Sequence, residues 1–354
     1  MDFVENELGW IPIHEKMEFL KQINRSGLKT SLLTNSYILP VASRSDFLPF
    51  QSSLPRDSIL VMLYADETYS VPLSGFLLKQ NSVKGIIRPY SLGTRNSRHM
   101  SGNLMRAAFY QARRDWNSKT IAMHFIWLSI GYLIMLRICR LRYLHRKFAK
   151  PSINGILGYT NLFSQTLRKR LELQGAGSLL TSESVNKKLN ANRTGFIYFV
   201  GQRGKYPRQS SLYELKLFIR AKPDSERILI LERTSFGGGS NSSLNSRKNA
   251  MEYIDVGLDF DYCLTPPGNY SWNTFRFMEA IVLGSLPLMS VPTICDPVDF
   301  PYLGVSTCSF RPWREIFELA ERQTPDLRLE ELLGLKQQIC REIESVNIQI
   351  EATF

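Results

Sequence analysis

The stretch that most constrains the fold runs from Asp261 to Met289. Asp261-Tyr262-Cys263-Leu264 is an apolar run that breaks at Thr265-Pro266-Pro267-Gly268. Polar residues able to cap a helix follow from Asn269 to Thr274, and then Phe275-Arg276-Phe277-Met278-Glu279-Ala280-Ile281-Val282-Leu283. Gly284 stands where a helix of about ten residues would close on a left-handed residue. Leu286-Pro287-Leu288-Met289 then opens a second apolar run. The pattern predicts strand, turn, capped helix, glycine stop and strand, which is one βαβ unit.

Open parallel sheets take ligands beyond the carboxyl ends of their strands. The loop from Pro266 to Thr274 and the helix start after it are therefore placed to receive a phosphate. Pro267, Gly268, Ser271, Asn273 and Thr274 are its candidate ligand contacts. Arg276 and Glu279, three apart, share a helix face near that start. A guanidinium there can fork onto a diphosphate and a carboxylate can accept from a ribose hydroxyl. The plainer alternative is a weak i,i+3 ion pair on a solvated helix. Ala280 to Leu283 make the back of the helix apolar, so its polar residues converge at one end, where a buried charge needs a partner and a ligand is one way to provide it.

On these residues the segment from Cys263 to Met289 resembles the donor-binding signature of exostosin-like glycosyltransferases. Cys263-Leu264-Thr265-Pro266-Pro267-Gly268 is similar to their Cys-Leu-x-Pro-x-Gly turn, and Thr274-Phe275-Arg276-Phe277-Met278-Glu279-Ala280 to their Ser-Phe-Arg-Phe-x-Glu-Ala helix. Gly284-Ser285-Leu286-Pro287-Leu288 is similar to the Gly-Cys-x-Pro-Val exit, with serine in the cysteine position. A weaker likeness covers Phe199-Val200-Gly201-Gln202-Arg203-Gly204 with Arg208, where such enzymes begin their donor domain. The resemblance spans roughly the second half of the chain. It implies a GT-B fold of two Rossmann-like domains facing a cleft, inverting transfer from a nucleotide sugar, and often no essential metal.

Length and composition set wider bounds. A chain of 354 residues with 44% hydrophobic content suits two domains. A net charge of +12 favours polyanionic company: nucleotide diphosphates, an anionic bilayer surface or nucleic acid. Basic residues dispersed along the chain, rather than clustered with exposed aromatics on one face, speak against nucleic acid. Cys139, Cys263, Cys295, Cys308 and Cys340 are odd in number, widely spaced and without a Cys-x-x-Cys pair, which fits a reduced compartment and no structural zinc. The start, Met1-Asp2-Phe3-Val4-Glu5, lacks the basic and apolar regions of a secretory signal, and a cytoplasmic location follows as the expectation.

In the first third, Ser58 to Tyr64 and Gly85 to Tyr90 read as buried strands of a second α/β unit. Asp66 and Glu67 follow the end of the first. Either fits the base that deprotonates an acceptor hydroxyl, and both also fit a helix N-cap. Ile121 to Leu136 is mostly apolar and leads into Arg137, Arg140, Arg142, His145, Arg146 and Lys147. It is short for a membrane span. A buried strand, or a helix leading into a basic amphipathic tract at an anionic lipid surface, suits it better.

Pro151 to Asn192 reads as an interdomain region with helical content. Thr194 to Gly201 is a strand running into a glycine turn where a backbone can approach a phosphate, with Arg203 and Arg208 near it. Ile228 to Leu231 is another strand. Phe236 to Ser243 is a loop, a surface insertion in preference to a lid. Trp313, Ile316, Phe317 and Ala320, and then Leu332, Leu335, Ile339, Ile343 and Val346, mark two core-facing helices.

The sequence thus leads to an acceptor-side α/β domain over 1–175, a nucleotide-sugar-binding Rossmann-like domain over 176–328 and a terminal helix over 329–354 that crosses back. Catalysis is expected from Asp66 or Glu67. Donor binding is expected from Gly201, Arg203, Arg208 and the 267–279 residues named above, with a UDP- or GDP-linked sugar as donor, no metal and no other cofactor. The expected acceptor is a glycan or lipid-linked glycan, with peripheral contact at the inner face of a membrane. Alternatives are an inactive relative or a basic protein that binds membrane surfaces or nucleic acid. Asp259-Phe260-Asp261 spells Asp-x-Asp but sits at a strand start, away from the ligand end, and reads as structural.

Overall fold

A computed structural model describes residues 37–41, 44–48, 56–63, 73–88, 140, 143–154, 161–173, 179–180, 182–190, 193–202, 208–221, 227–233, 243–266, 275–290, 305–309 and 311–353. It is an α/β protein with two parallel sheets. The apolar run 121–136 and the loop 236–242 lie outside the described residues. Among the described residues no helix is long and apolar enough to cross a membrane.

The first sheet holds β1 (Tyr37–Val41), β2 (Ile59–Leu63), β3 (Val83–Arg88) and β4 (Ser152–Asn154) in sequential order, every neighbouring pair parallel. The short helix α1 (Arg44–Phe47) follows β1. Parallel strands buried on both faces read as unbroken apolar runs. Accordingly Ile59, Leu60, Val61 and Leu63 are wholly buried. A sheet whose strands follow one another in order winds in one direction only, so its described part has no point where strand order reverses.

The second sheet is wound differently. Its order is β6 (Ile228–Arg233), β5 (Gly195–Gln202), β7 (Phe260–Leu264), β8 (Leu286–Ser290) and β9 (Cys308–Ser309), again all parallel. From β5 the chain steps one way to β6 through α4 (Arg208–Arg220). It then returns across the sheet through α5 (Ser243–Asp259) to β7, and continues through α6 (Phe275–Val282) to β8. Right-handed crossovers put α4 on one face and α5 and α6 on the other. α7 (Trp313–Arg322) joins α4, with the rings of Phe218 and Phe317 5.4 Å apart. α2 (Asn161–Arg170) joins α5, with Phe163 and Tyr253 6.2 Å apart.

One core fills the space around this sheet. It takes in Phe163 and Leu167 of α2, Leu179 and Leu180, and Val185 and Leu189 of α3 (Glu183–Leu189). These helices of the 151–192 region thus bury their apolar residues with the second sheet, whereas β4 pairs with the first. α8 (Pro325–Thr353) buries Leu332, Leu335 and Ile339 in the same core and also meets β4.

The predicted βαβ unit is present as β7, α6 and β8. Its exit is a Schellman turn: Ser285 N donates to Ala280 O at 2.9 Å and Gly284 N to Ile281 O at 3.1 Å, with Gly284 at φ +80°. Thr265, buried, donates to Leu288 O through both its N and its Oγ1, which extends the β7 and β8 pairing past Leu264.

Candidate functional site

Two neighbouring strands of a sheet whose crossovers leave in opposite directions open a crevice beyond their carboxyl ends. Strand order here reverses between β5 and β7, the flavodoxin-like arrangement. The starts of α4 and α6 both follow that end, since each helix comes directly after one of the two strands.

Arg276, on the first turn of α6, reaches across this gap. Its Nε donates to the carbonyl of Val200 on β5 at 3.3 Å, and its guanidinium carbon lies 5.0 Å from the centre of the Phe199 ring. Gly201 lies beneath the guanidinium. A Cβ added at Gly201 would stand 2.3 Å from Arg276 Nη2, so any larger residue there would push the group away. A strand-end glycine and a helix-start arginine, 75 residues apart in sequence, thus form one surface.

Glu279 lies one turn further along α6 and is half-buried. Among the described residues it makes no ion pair with Arg276, so the helix-surface pair considered from the sequence is absent. Burial raises its carboxyl above the ordinary carboxylate value, while the Arg276 charge and then the Tyr253 hydroxyl pull the other way. Burial is also the main reason that the Cys263 thiol on β7 is pushed up to about 12, which keeps it protonated and inert at neutral pH. The phenols of Tyr198 and Tyr253 are raised well above their usual value, again chiefly by burial.

Arg208, half-buried, is the first residue of α4 and so belongs to the same end of the sheet. Gly201, Arg276 and Glu279 are brought together; Arg203, Pro267, Gly268, Ser271, Asn273 and Thr274 lie outside the described residues, as do Asp66 and Glu67. Sequence reasoning did not single out Phe199, whose ring supports the guanidinium, or Tyr253, which neighbours Glu279 from α5. No local signal marks either, because each is one apolar residue among many in its own element.

No family model matches the chain. Comparison with curated proteins gives no match either. The site therefore rests on its own geometry.

The opposite end of the sheet has a different character. Arg193 donates to the carbonyls of Leu189 at 2.7 and 2.9 Å, Gly257 at 3.2 Å and Leu283 at 2.5 Å, to Ser285 Oγ at 3.1 Å and to the carbonyl of Phe260. Burial lowers its pKa to about 10, and the charge of Arg328 acts the same way. Arg328 is buried, pairs with Asp261 at 3.3 Å and donates to Gly284 O at 3.3 Å. Asp261 thus has a structural partner, in keeping with its place at the start of β7.

A cavity of about 330 Å³ at this end is lined by Phe196, Tyr262, Gln323 and the Asp261 and Arg328 pair. The two charges neutralise each other. Among the described residues no group of three or more His, Cys, Asp or Glu side chains converges to hold a metal ion.

Proposed function

We propose that the crevice between β5 and β7 binds the diphosphate of a nucleotide, and that the chain is an inverting glycosyltransferase of the exostosin-like kind. The observation that carries the reading is Arg276 spanning the point of strand reversal with its guanidinium over Gly201. A bidentate cation, two helix starts and a side-chain-free strand end are what a diphosphate needs. Glu279, one turn on, suits a ribose hydroxyl. Arg208 supplies a second cation at the start of α4.

On this reading the fold is of GT-B type, with the two sheets belonging to Rossmann-like domains that face a cleft. The enzyme works in the cytoplasm on a UDP- or GDP-linked sugar and passes it to a glycan or lipid-linked glycan. Asp66 or Glu67 takes the proton from the acceptor hydroxyl. The acceptor oxygen bonds to the anomeric carbon from the face opposite the nucleotide as the bond from that carbon to the diphosphate oxygen breaks, and Arg276 and the α6 start offset the charge on the departing diphosphate.

The test is a melting curve of the full chain with millimolar UDP, GDP, CMP and their sugar conjugates, repeated on Arg276→Ala and Glu279→Ala. A rise with one nucleotide that both substitutions remove supports the reading, since a ligand bound only by the folded state stabilises it by RT ln(1 + [L]/Kd). No rise with any nucleotide overturns it.

A further inference from the structure

We infer that Arg140 and the segment Tyr143 to Lys150 form a membrane-docking surface that takes the anionic headgroups of a lipid bilayer. Residues 143–148 form a single helical stretch held to the helix and turn that precede β3. Leu144 is buried against Gly75, Lys150 Nζ donates to Gln80 O at 2.6 Å and His145 Nδ1 to Lys150 O at 2.9 Å. Ala149, at φ 50°, ends the helix. This anchoring fixes what points outward.

Tyr143, Arg146 and Lys147 are three and four residues apart and so share one outer face. Tyr143 is 60% exposed, and Phe148 at the rim is 36% exposed with the Lys147 ammonium 5.9 Å from its ring. Arg140, Arg146 and Lys147 are exposed and, among the described residues, form no ion pair. Aromatic rings beside unpaired cations on a fixed outer face match the boundary between headgroups and acyl chains.

The charge pattern selects the partner. Between Asp115 and Glu172 the sequence has ten Lys or Arg and no Asp or Glu, in a chain with 32 acidic residues in all. Such a one-signed block favours an anionic surface. The sequence just ahead of Arg140, 121–136, is mostly apolar. This inference is independent of the nucleotide site.

The experiment is co-sedimentation of the full chain with phosphatidylcholine vesicles, alone or with about 30% phosphatidylglycerol, alongside a single-stranded oligonucleotide. Binding is expected to the anionic vesicles only. Each charge near such a surface is worth about fivefold in partition, so Arg146→Glu with Lys147→Glu, a change of four charges, should weaken it by roughly several hundredfold. Tyr143→Ser with Phe148→Ser should weaken it several-fold at fixed salt. Equal binding to neutral vesicles, or indifference to both double variants, overturns the inference. So does oligonucleotide binding that the charge reversals abolish and the serine variants leave intact, which would reassign the surface to nucleic acid. Melting curves of the variants show whether the fold is kept.

Discussion

The guanidinium of Arg276 packs over the ring of Phe199, 5.0 Å from its centre, and this contact joins the start of α6 to the carboxyl end of β5. Cation–ring contacts of this kind contribute about 0.5–1 kcal/mol where partly exposed. Its larger effect is to hold a long side chain in one place. A preset guanidinium loses less freedom when it meets an anion than one that must be ordered on binding.

Gly201→Ala tests that arrangement. The added methyl falls 2.3 Å from Arg276 Nη2 and 3.3 Å from the Phe199 ring edge. Because the nearer atom ends a flexible side chain, the guanidinium will swing away at a cost to stability of about 1 kcal/mol or less. Nucleotide affinity should fall at least tenfold, the loss expected when one charge-assisted hydrogen bond is misplaced. Titration calorimetry with UDP and GDP beside a urea melt separates the two effects, and equal losses in both would count against a binding role for this corner.

Arg193 and Gly284 make a second unit, at the other end of the sheet. The Arg193 guanidinium serves carbonyls from α3, α5, β7 and the α6 exit, groups that helix ends leave without partners. Arg193→Met keeps the stem and strands those acceptors, so a loss of about 3 kcal/mol or more is expected in denaturant melts. Gly284→Ala should also be costly, by about 1–2 kcal/mol. It forces a side chain into φ +80° and places a methyl 2.6 Å from Arg193 Nη2 and 3.0 Å from Leu189 Cβ. The two sites touch, so the double variant should lose less than the sum of the singles.

Asp261→Asn separates structure from ligand binding. Arg328, 7% exposed, would lose its counter-charge while keeping its contact with Gly284 O. Stability should drop by about 2 kcal/mol, at the low end for a broken buried pair because the Asp261 side chain is 23% exposed. Nucleotide binding should be unchanged, since Asp261 is the second residue of β7 and the crevice lies past the other end of that strand. A loss of binding with stability intact would give Asp261 a ligand role instead.

The βαβ unit was legible because its signals are local: an apolar run, a proline break, a helical period and a glycine stop each act within a few residues. The strands at Ile59–Leu63, Gly195–Gln202 and Ile228–Arg233 were legible for the same reason. Helix α5 was not. Gly257 weakens its pattern, and the reason for that glycine is distant: a Cβ there would stand 2.3 Å from Leu283 Cδ1 of the α6 exit. Arg193 reads as a loop cation in sequence, because its acceptors lie up to 92 residues away. The Arg276 and Glu279 pair was visible as two polar residues on one helix. What they face depends on strand order, which no single segment encodes.

Lys336 gives the fold a pH dependence of known sign. It lies on α8, buried, with Nζ donating to Asn186 Oδ1 at 2.5 Å. Burial, and next the charge of Arg193, lower its pKa from 10.5 to about 7. In the unfolded chain the amine stays protonated up to about pH 10.4, so between pH 7 and that value the unfolded state binds more protons than the folded one. Stability must then rise with pH across this window, with a slope of up to about 1.4 kcal/mol per pH unit for one proton. From about pH 8 upward the raised thiols of Cys263, Cys308 and Cys340 act in the opposite sense, because the unfolded chain loses those protons first. The clean interval is pH 7 to 8. Urea midpoints measured there should climb for the native chain and stay nearly flat for Lys336→Met, which packs the same stem without the amine. A native chain with no slope between pH 7 and 8 would mean that Lys336 remains charged in the fold, stabilised by Asn186 more strongly than its burial opposes.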